Sequence, residues 1–265
     1  MTNNQILILG FSIISVMTAL GSAVVYFFKD KISEKVNTIF LGFASGVMIA
    51  ASVWSLLLPA LDQAESSGIY GKFSFIPVSI GFIIGGLFLV IIDKIIPHFH
   101  KGTDEEEGPK NSLKKSTKLF LAVTIHNVPE GLAVGFAFGA AALVNDTNAY
   151  LSALALAIGL GIQNFPEGAA VALPMKESLN SKHKAFLFGA ASGIVEPIAA
   201  VLGFFLATVL TSIQPWLLAF SAGAMIFVVA EDLIPDAKLE THPHLGTFGV
   251  MIGFVIMMIL DVALG

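Results

Sequence analysis

His126 and Glu130 stand four residues apart, as do Gln163 and Glu167, and Asn127 and Asn164 each precede a glutamate by three. Positions i, i+3 and i+4 share a helix face, so each run sets an imidazole or amide beside a carboxylate. The two runs echo one another: Asn127-Val-Pro129-Glu130-Gly131 recurs as Asn164-Phe-Pro166-Glu167-Gly168. Glu196, followed by Pro197, supplies a third carboxylate. One imidazole with carboxylate and amide oxygens, and no thiolate, suits a borderline-to-hard divalent ion: Zn²⁺ first, then Fe²⁺, Mn²⁺, Cd²⁺ or Co²⁺. Glu130 and Glu167 have the reach for two ions, with His126 and Gln163 on one side and Asn127, Asn164 and Glu196 on the other. Protonation of one or two glutamates is the other way to relieve the charge and would make a proton path; both can operate together.

The elements that carry these groups are apolar. Hydrophobic residues make up 55% of the 265, charged residues 12%, and the mean hydropathy is +0.84. A soluble domain uses about twice that share of charge. This excludes a soluble globular enzyme and a disordered chain, and predicts an all-α integral membrane protein of one domain, 1–265. The net charge of −5 offers no footprint for nucleic acid, and the absence of cysteine excludes disulfides, thiolate metal sites and thiol catalysis.

A helix crossing a bilayer needs about 20 mostly apolar residues. Eight segments qualify, at about 6–28, 38–61, 73–96, 119–144, 150–173, 185–210, 215–231 and 245–264, with a polar, flexible loop at 97–116. The first segment has no basic residues before its apolar run, so it reads as a retained span and not a signal peptide. Thirteen of the fourteen lysines fall in odd-to-even loops and only Lys72 falls opposite. By the positive-inside rule those loops are cytoplasmic and both termini are outside, in the cell membrane. Phe43, Gly46, Met48 and Ile49 on span 2 also match Phe220, Gly223, Met225 and Ile226 on span 7 at one offset. Each echo joins spans that run in opposite directions, which predicts an inverted repeat of spans 1–3 and 6–8 around spans 4–5.

Depth separates the polar set from incidental groups. An ionisable side chain at bilayer depth costs about 2.5–3.5 kcal/mol on insertion scales. Counted inward from Lys118, Lys176 and Lys184 at about 1.5 Å per residue, Glu130 lies about 18 Å in, Glu167 about 14 Å and Glu196 about 18 Å. Three helices thus bring costly groups to one level, and no intramembrane Lys or Arg accompanies them. Singly, each has a structural reading: a glutamate as half of a buried pair, a histidine as a satisfied core residue, Pro129 and Pro166 as ordinary kinks. A shared depth is not expected of independent structural groups.

At His126-Asn-Val-Pro-Glu130-Gly131 and Gln163-Asn-Phe-Pro-Glu167-Gly168 the chain resembles the ZIP (Zrt-, Irt-like protein) family of divalent metal transporters, closest to its short prokaryotic, GufA-like branch. The resemblance covers all eight spans. It implies that His126, Glu130, Gln163 and Glu167 hold the transported metal, while Asn127, Asn164 and Glu196 share a neighbouring metal with the two glutamates. Gln163 departs from relatives with His there, and Asn164 from relatives with Asp. The resemblance further implies an outer path at Met48, Ser55 and Asp62, and an inner exit at Glu231 and Asp232. Met48 as core packing and Asp62 as a solvated helix end are the plain alternatives. His98 and His100, and His242 and His244, form two His-x-His pairs, read equally as secondary metal sites or as polar loop residues.

The family implies an elevator-like movement of spans 1, 4, 5 and 6 against 2, 3, 7 and 8. Small residues on span 1 (Gly10, Ala19, Gly21, Ser22, Ala23) and span 2 (Gly42, Ala44, Ser45, Gly46) are available for close helix contacts. A divalent ion entering across 100 mV, inside negative, gains about 4.6 kcal/mol. The expected partners are therefore divalent metal ions, as transported substrate, and the lipid bilayer, with no organic cofactor; a homodimer is compatible with the sequence. Two other readings use the same His/Glu cluster: a membrane-embedded metalloenzyme and a divalent cation channel. No His-Glu-x-x-His run supports the first.

Overall fold

A computed structural model of the chain describes residues 1–27, 33–99, 106–107, 109, 112–237 and 243–264. Eight helices are long and apolar enough to cross a membrane: α1 (Asn3–Phe27), α2 (Glu34–Ser66), α3 (Gly71–Ile95), α4 (Ser116–Val144), α5 (Thr147–Leu179), α6 (Lys182–Val209), α7 (Thr211–Asp236) and α8 (His244–Leu264). The fold is all-helical apart from a two-residue antiparallel pairing of His98–Phe99 with Glu106–Glu107. Helices extend past the expected spans mainly where polar turns continue them, as at the end of α5. Their ends follow local chemistry. Ser33 and Ser181 accept hydrogen bonds from the first-turn amides of Val36 and Lys184, and Asn145 and Asn180 end α4 and α5 in the left-handed conformation.

The tightest pairings are α1 with α5, α4 with α6, α2 with α8 and α3 with α7, and α4 also lies along α5. This gathers α1, α4, α5 and α6 into one set and α2, α3, α7 and α8 into another. The small residues act inside each set. A β-carbon at Gly21 would strike the Phe165 carbonyl, and one at Gly46 the Val250 carbonyl. Such glycines let helix backbones touch, which is how apolar helices associate where lipid is as apolar as the side chains. Between the sets, α4 meets α7 and α5 meets α2 and α8.

The α2–α7 echo has a structural counterpart. Gly46 packs on α8 and Gly223 on α3, while Gly253 abuts Phe43 and Gly85 abuts Phe220. Both helices then change to π-helical winding, at Ser52–Leu57 in α2 and Val229–Leu233 in α7. Each segment is followed directly by Leu58-Pro59 or Ile234-Pro235. Single-turn π segments are uncommon and concentrate at functional places.

Candidate metal-transport site

Glu130 sits midway along α4, Glu167 in the inner half of α5, and Glu196 midway along α6. Pro129 and Pro166 lie inside continuous helices. α6 is broken: its first half ends at Ser192, Gly193 and Ile194 form a turn, and Val195 starts the second half with Glu196 in its first turn. The break frees the Ser192 carbonyl, which accepts from Asn127 Nδ2 at 3.0 Å. Irregular backbone at such depth is tolerated where neighbouring side chains satisfy it.

The expected residues form one connected network. Glu196 accepts from Thr18 Oγ1 (2.9 Å), Asn127 Nδ2 (3.1 Å) and Asn164 Nδ2 (2.6 Å). Gln163 Nε2 donates to Glu130 Oε2 at 2.7 Å and also to Asn164 Oδ1. Asn127, Glu130, Gln163, Asn164, Glu167 and Glu196 are all buried. Four of their oxygens have no hydrogen-bond partner: Asn127 Oδ1, Glu130 Oε1, Gln163 Oε1 and Glu167 Oε2. A buried acceptor left this way costs about 1–3 kcal/mol, and they stand on residues of the two repeated motifs. Among the described residues, no three His, Asp or Glu side chains form a metal-holding group; the amides complete the cluster.

His126 takes a different direction. Its Nε2 lies 3.3 Å from Asp232 Oδ2 in the π-helical part of α7. His126, Glu167, Asp232 and Asp236 line a small cavity of about 50 Å³, closed by Leu41, Leu233 and α4 side chains. Toward the other end of the bundle, a cavity of about 410 Å³ opens between the sets. Trp54, Ser55 and Gln63 of α2 line it with Ala137 and Val144 of α4, Ser152 of α5 and Asp261 of α8.

The outlying candidates divide. Ser55 faces the larger cavity and donates to Asp261 Oδ1 at 2.6 Å. Met48 is fully buried in the core and packs there without lining either cavity. Asp62, Glu231 and His244 are exposed, and Asp232 is buried. His100 and His242 lie outside the described residues, as does the side chain of His98. Three functional groups escaped sequence reasoning. Asp261 is a carboxylate inside an apolar span and carries the same cost signal as the glutamates. Thr18 is one hydroxyl among several in α1 and has no distinguishing spacing. Lys118, read as marking the membrane edge, is 2% exposed and packed within the protein.

Matches to known proteins agree with this arrangement. The family model described as "ZIP Zinc transporter" matches residues 5–118 and 116–261. The chain belongs to the ZIP zinc transporter family. Human zinc transporter ZIP11 is 36% identical, with 94% of each chain covered. Zinc transporter GufA of Myxococcus xanthus is 35% identical over the same shares, and zinc transporter ZIPB of Bordetella bronchiseptica is 36% identical over 94% of this chain and 78% of its own. The chain is thus a multi-pass membrane protein of a transporter family, and the metalloenzyme reading is set aside.

Proposed function

We propose that this ZIP-family protein carries a divalent metal ion, zinc before other metals, through the cell membrane into the cytoplasm. The ion rests on α4 and α5 among Glu130, Gln163 and Glu167, with Asn127 beside them and His126 on the inward side. The observation that carries this reading is the set of four unpartnered oxygens on Asn127, Glu130, Gln163 and Glu167. A divalent ion satisfies several such oxygens at once, and the two glutamates match its charge. Neutral amide oxygens in place of further carboxylates or thiolates suit Zn²⁺ and also admit Fe²⁺, Mn²⁺, Cd²⁺ and Co²⁺.

The two cavities lie on opposite sides of this cluster and both run between the helix sets. Movement of α1, α4, α5 and α6 past α2, α3, α7 and α8 closes one and opens the other. The larger, holding Ser55 and Asp261, faces outward on the lysine distribution, and the smaller faces the cytoplasm. An ion leaving Glu167 inward meets His126, then Asp232 and Asp236. The membrane potential alone drives that direction, by about 4.6 kcal/mol per divalent ion at 100 mV.

Purified protein in liposomes with an internal zinc indicator tests the reading. Saturable zinc uptake, lost in Glu130→Ala and in Glu167→Ala while both variants still insert, is the expected result. Flux that stays proportional to zinc concentration would make the protein a channel, and uptake unchanged in both variants would remove the cluster from the path.

A further inference from the structure

Glu196 has the richest set of donors in the cluster. Its Oε1 accepts from Thr18 Oγ1 and Asn127 Nδ2, its Oε2 accepts from Asn164 Nδ2, and the residue is 0% exposed. It also occupies the first turn of the second half of α6, where backbone amides present positive charge. Its negative charge is therefore compensated by the chain itself.

The consequence lies on the far side of the two amides. A carboxamide carries its nitrogen and oxygen on opposite arms of one carbon. An asparagine whose Nδ2 is held by Glu196 therefore turns its Oδ1 away from Glu196. Asn127 Oδ1 is without a partner, and Asn164 Oδ1 accepts from Gln163 Nε2. The same Gln163 nitrogen donates to Glu130, which leaves Gln163 Oε1 unpartnered as well. Donors thus run toward Glu196, and free oxygens collect on the side of Glu130 and Glu167.

We propose that Glu196 is a positioning residue that clamps Asn127 and Asn164 so that free amide oxygens face the ion between α4 and α5, and that it does not itself ligate a metal. This rests on the transport reading above. A second ion at Glu196 would have to displace three hydrogen bonds already made, whereas a single ion among Glu130, Gln163 and Glu167 displaces only the Gln163–Glu130 bond. A centre with two carboxylates and one divalent ion is neutral; adding Glu196 as a ligand would call for another ion.

The test uses the full-length protein and two readouts: Zn²⁺ bound per chain by equilibrium dialysis, and the KM of zinc uptake in liposomes. Glu196→Gln is expected to bind as many Zn²⁺ as the unaltered protein while its KM rises about tenfold, the usual scale for losing a residue that orients ligands. In the Asn127→Ala/Asn164→Ala background, Glu196→Gln is expected to change KM no further, because the amides it acts through are gone. Loss of one bound Zn²⁺ in Glu196→Gln, or a full KM effect in that background, overturns the proposal. Should the double-alanine protein not fold, Asn164→Asp serves instead. It sets two carboxylates together without an intervening N–H and is expected to add one bound Zn²⁺; an unchanged number would mean that the ion was already present, and the proposal fails. Glu130→Ala separates the two readings: if it retains uptake the transport reading falls, and if it loses uptake a failure above falls on Glu196 alone.

Discussion

His126 of α4 and Asp232 of α7 are joined at 3.3 Å across the boundary between the two helix sets. The pair lies at the smaller cavity, beside Glu167. A histidine held by a carboxylate is oriented and made a better cation ligand. The pair therefore ties the geometry of the α4–α5 cluster to the position of α7.

Removing the carboxylate should cost transport but less than removing the imidazole. Asp232→Ala is expected to lower the initial rate of zinc uptake about tenfold, within the range for a residue that orients a metal ligand. His126→Ala is expected to abolish uptake nearly completely. Initial rates in liposomes, normalised to inserted protein, check both; an Asp232→Ala rate equal to the unaltered one would take the pair off the route.

At the opposite end, Ser55 donates to Asp261 at the mouth of the larger cavity. A carboxylate in a cleft attracts cations, and salt screens that attraction. Asp261→Asn should raise the KM for zinc several-fold, about threefold to tenfold at low salt, with little change in maximal rate. The difference should shrink as ionic strength rises toward about 1 M, where the screening length falls to about 3 Å. Ser55→Ala keeps the charge and should change KM by less than about twofold. A salt-independent Asp261→Asn effect would point to structural damage instead.

Close packing inside each set carries its own prediction. A β-carbon at Gly168 would collide with the backbone carbonyl of Thr18, next to the hydroxyl that holds Glu196. Backbone cannot give way as a side-chain tip can, so Gly168→Ala should destabilise by about 1–3 kcal/mol or more. Gly86→Ala is the control, since its nearest neighbour, Phe227, would be at an ordinary 3.8 Å, and it should stay within about 0.5 kcal/mol. Thermal unfolding midpoints in detergent, read side by side, decide this.

Much of this molecule was legible in its residues because the membrane imposes simple rules. Apolar runs had to be spans, and costly groups at one depth had to converge, so His126, Asn127, Glu130, Gln163, Asn164, Glu167 and Glu196 were found from cost and spacing alone. What escaped depends on direction at close range. Hydrogen bonds fill Glu196 through Thr18, and no spacing announces that hydroxyl. Small residues on α1 and α2 were equally compatible with sliding surfaces and fixed joints; the glycine contacts at Gly21 and Gly46 make those positions joints within a set. Asp232 read only as the end of a span, because the turn that aims it at His126 is π-helical and helical-wheel spacing assumes otherwise.

That π-helical turn gives the sharpest mutational prediction. A π segment is an α-helix holding one surplus residue, and its flanks stay in α-helical register when the surplus is removed. Deleting Ala230, inside Val229–Leu233, should therefore leave Gly223 packed on Phe82 above and Pro235 in place below. The loss is local: the Glu231–Asp232 turn rewinds by up to about 100°, one residue of α-helix, and Asp232 leaves His126. Expected are a near-normal unfolding midpoint and zinc uptake reduced about tenfold, like Asp232→Ala. Deleting Phe227, in the α-helical part, has no surplus to absorb it; every later residue rotates, and folded protein should be lost. The matched deletion of Val53 in α2 should fold and behave like a loss of the Ser55–Asp261 contact. If the Ala230 deletion keeps full uptake, the π-helical winding does not set the aim of Asp232, and its recurrence at the same place in α2 has no part in transport.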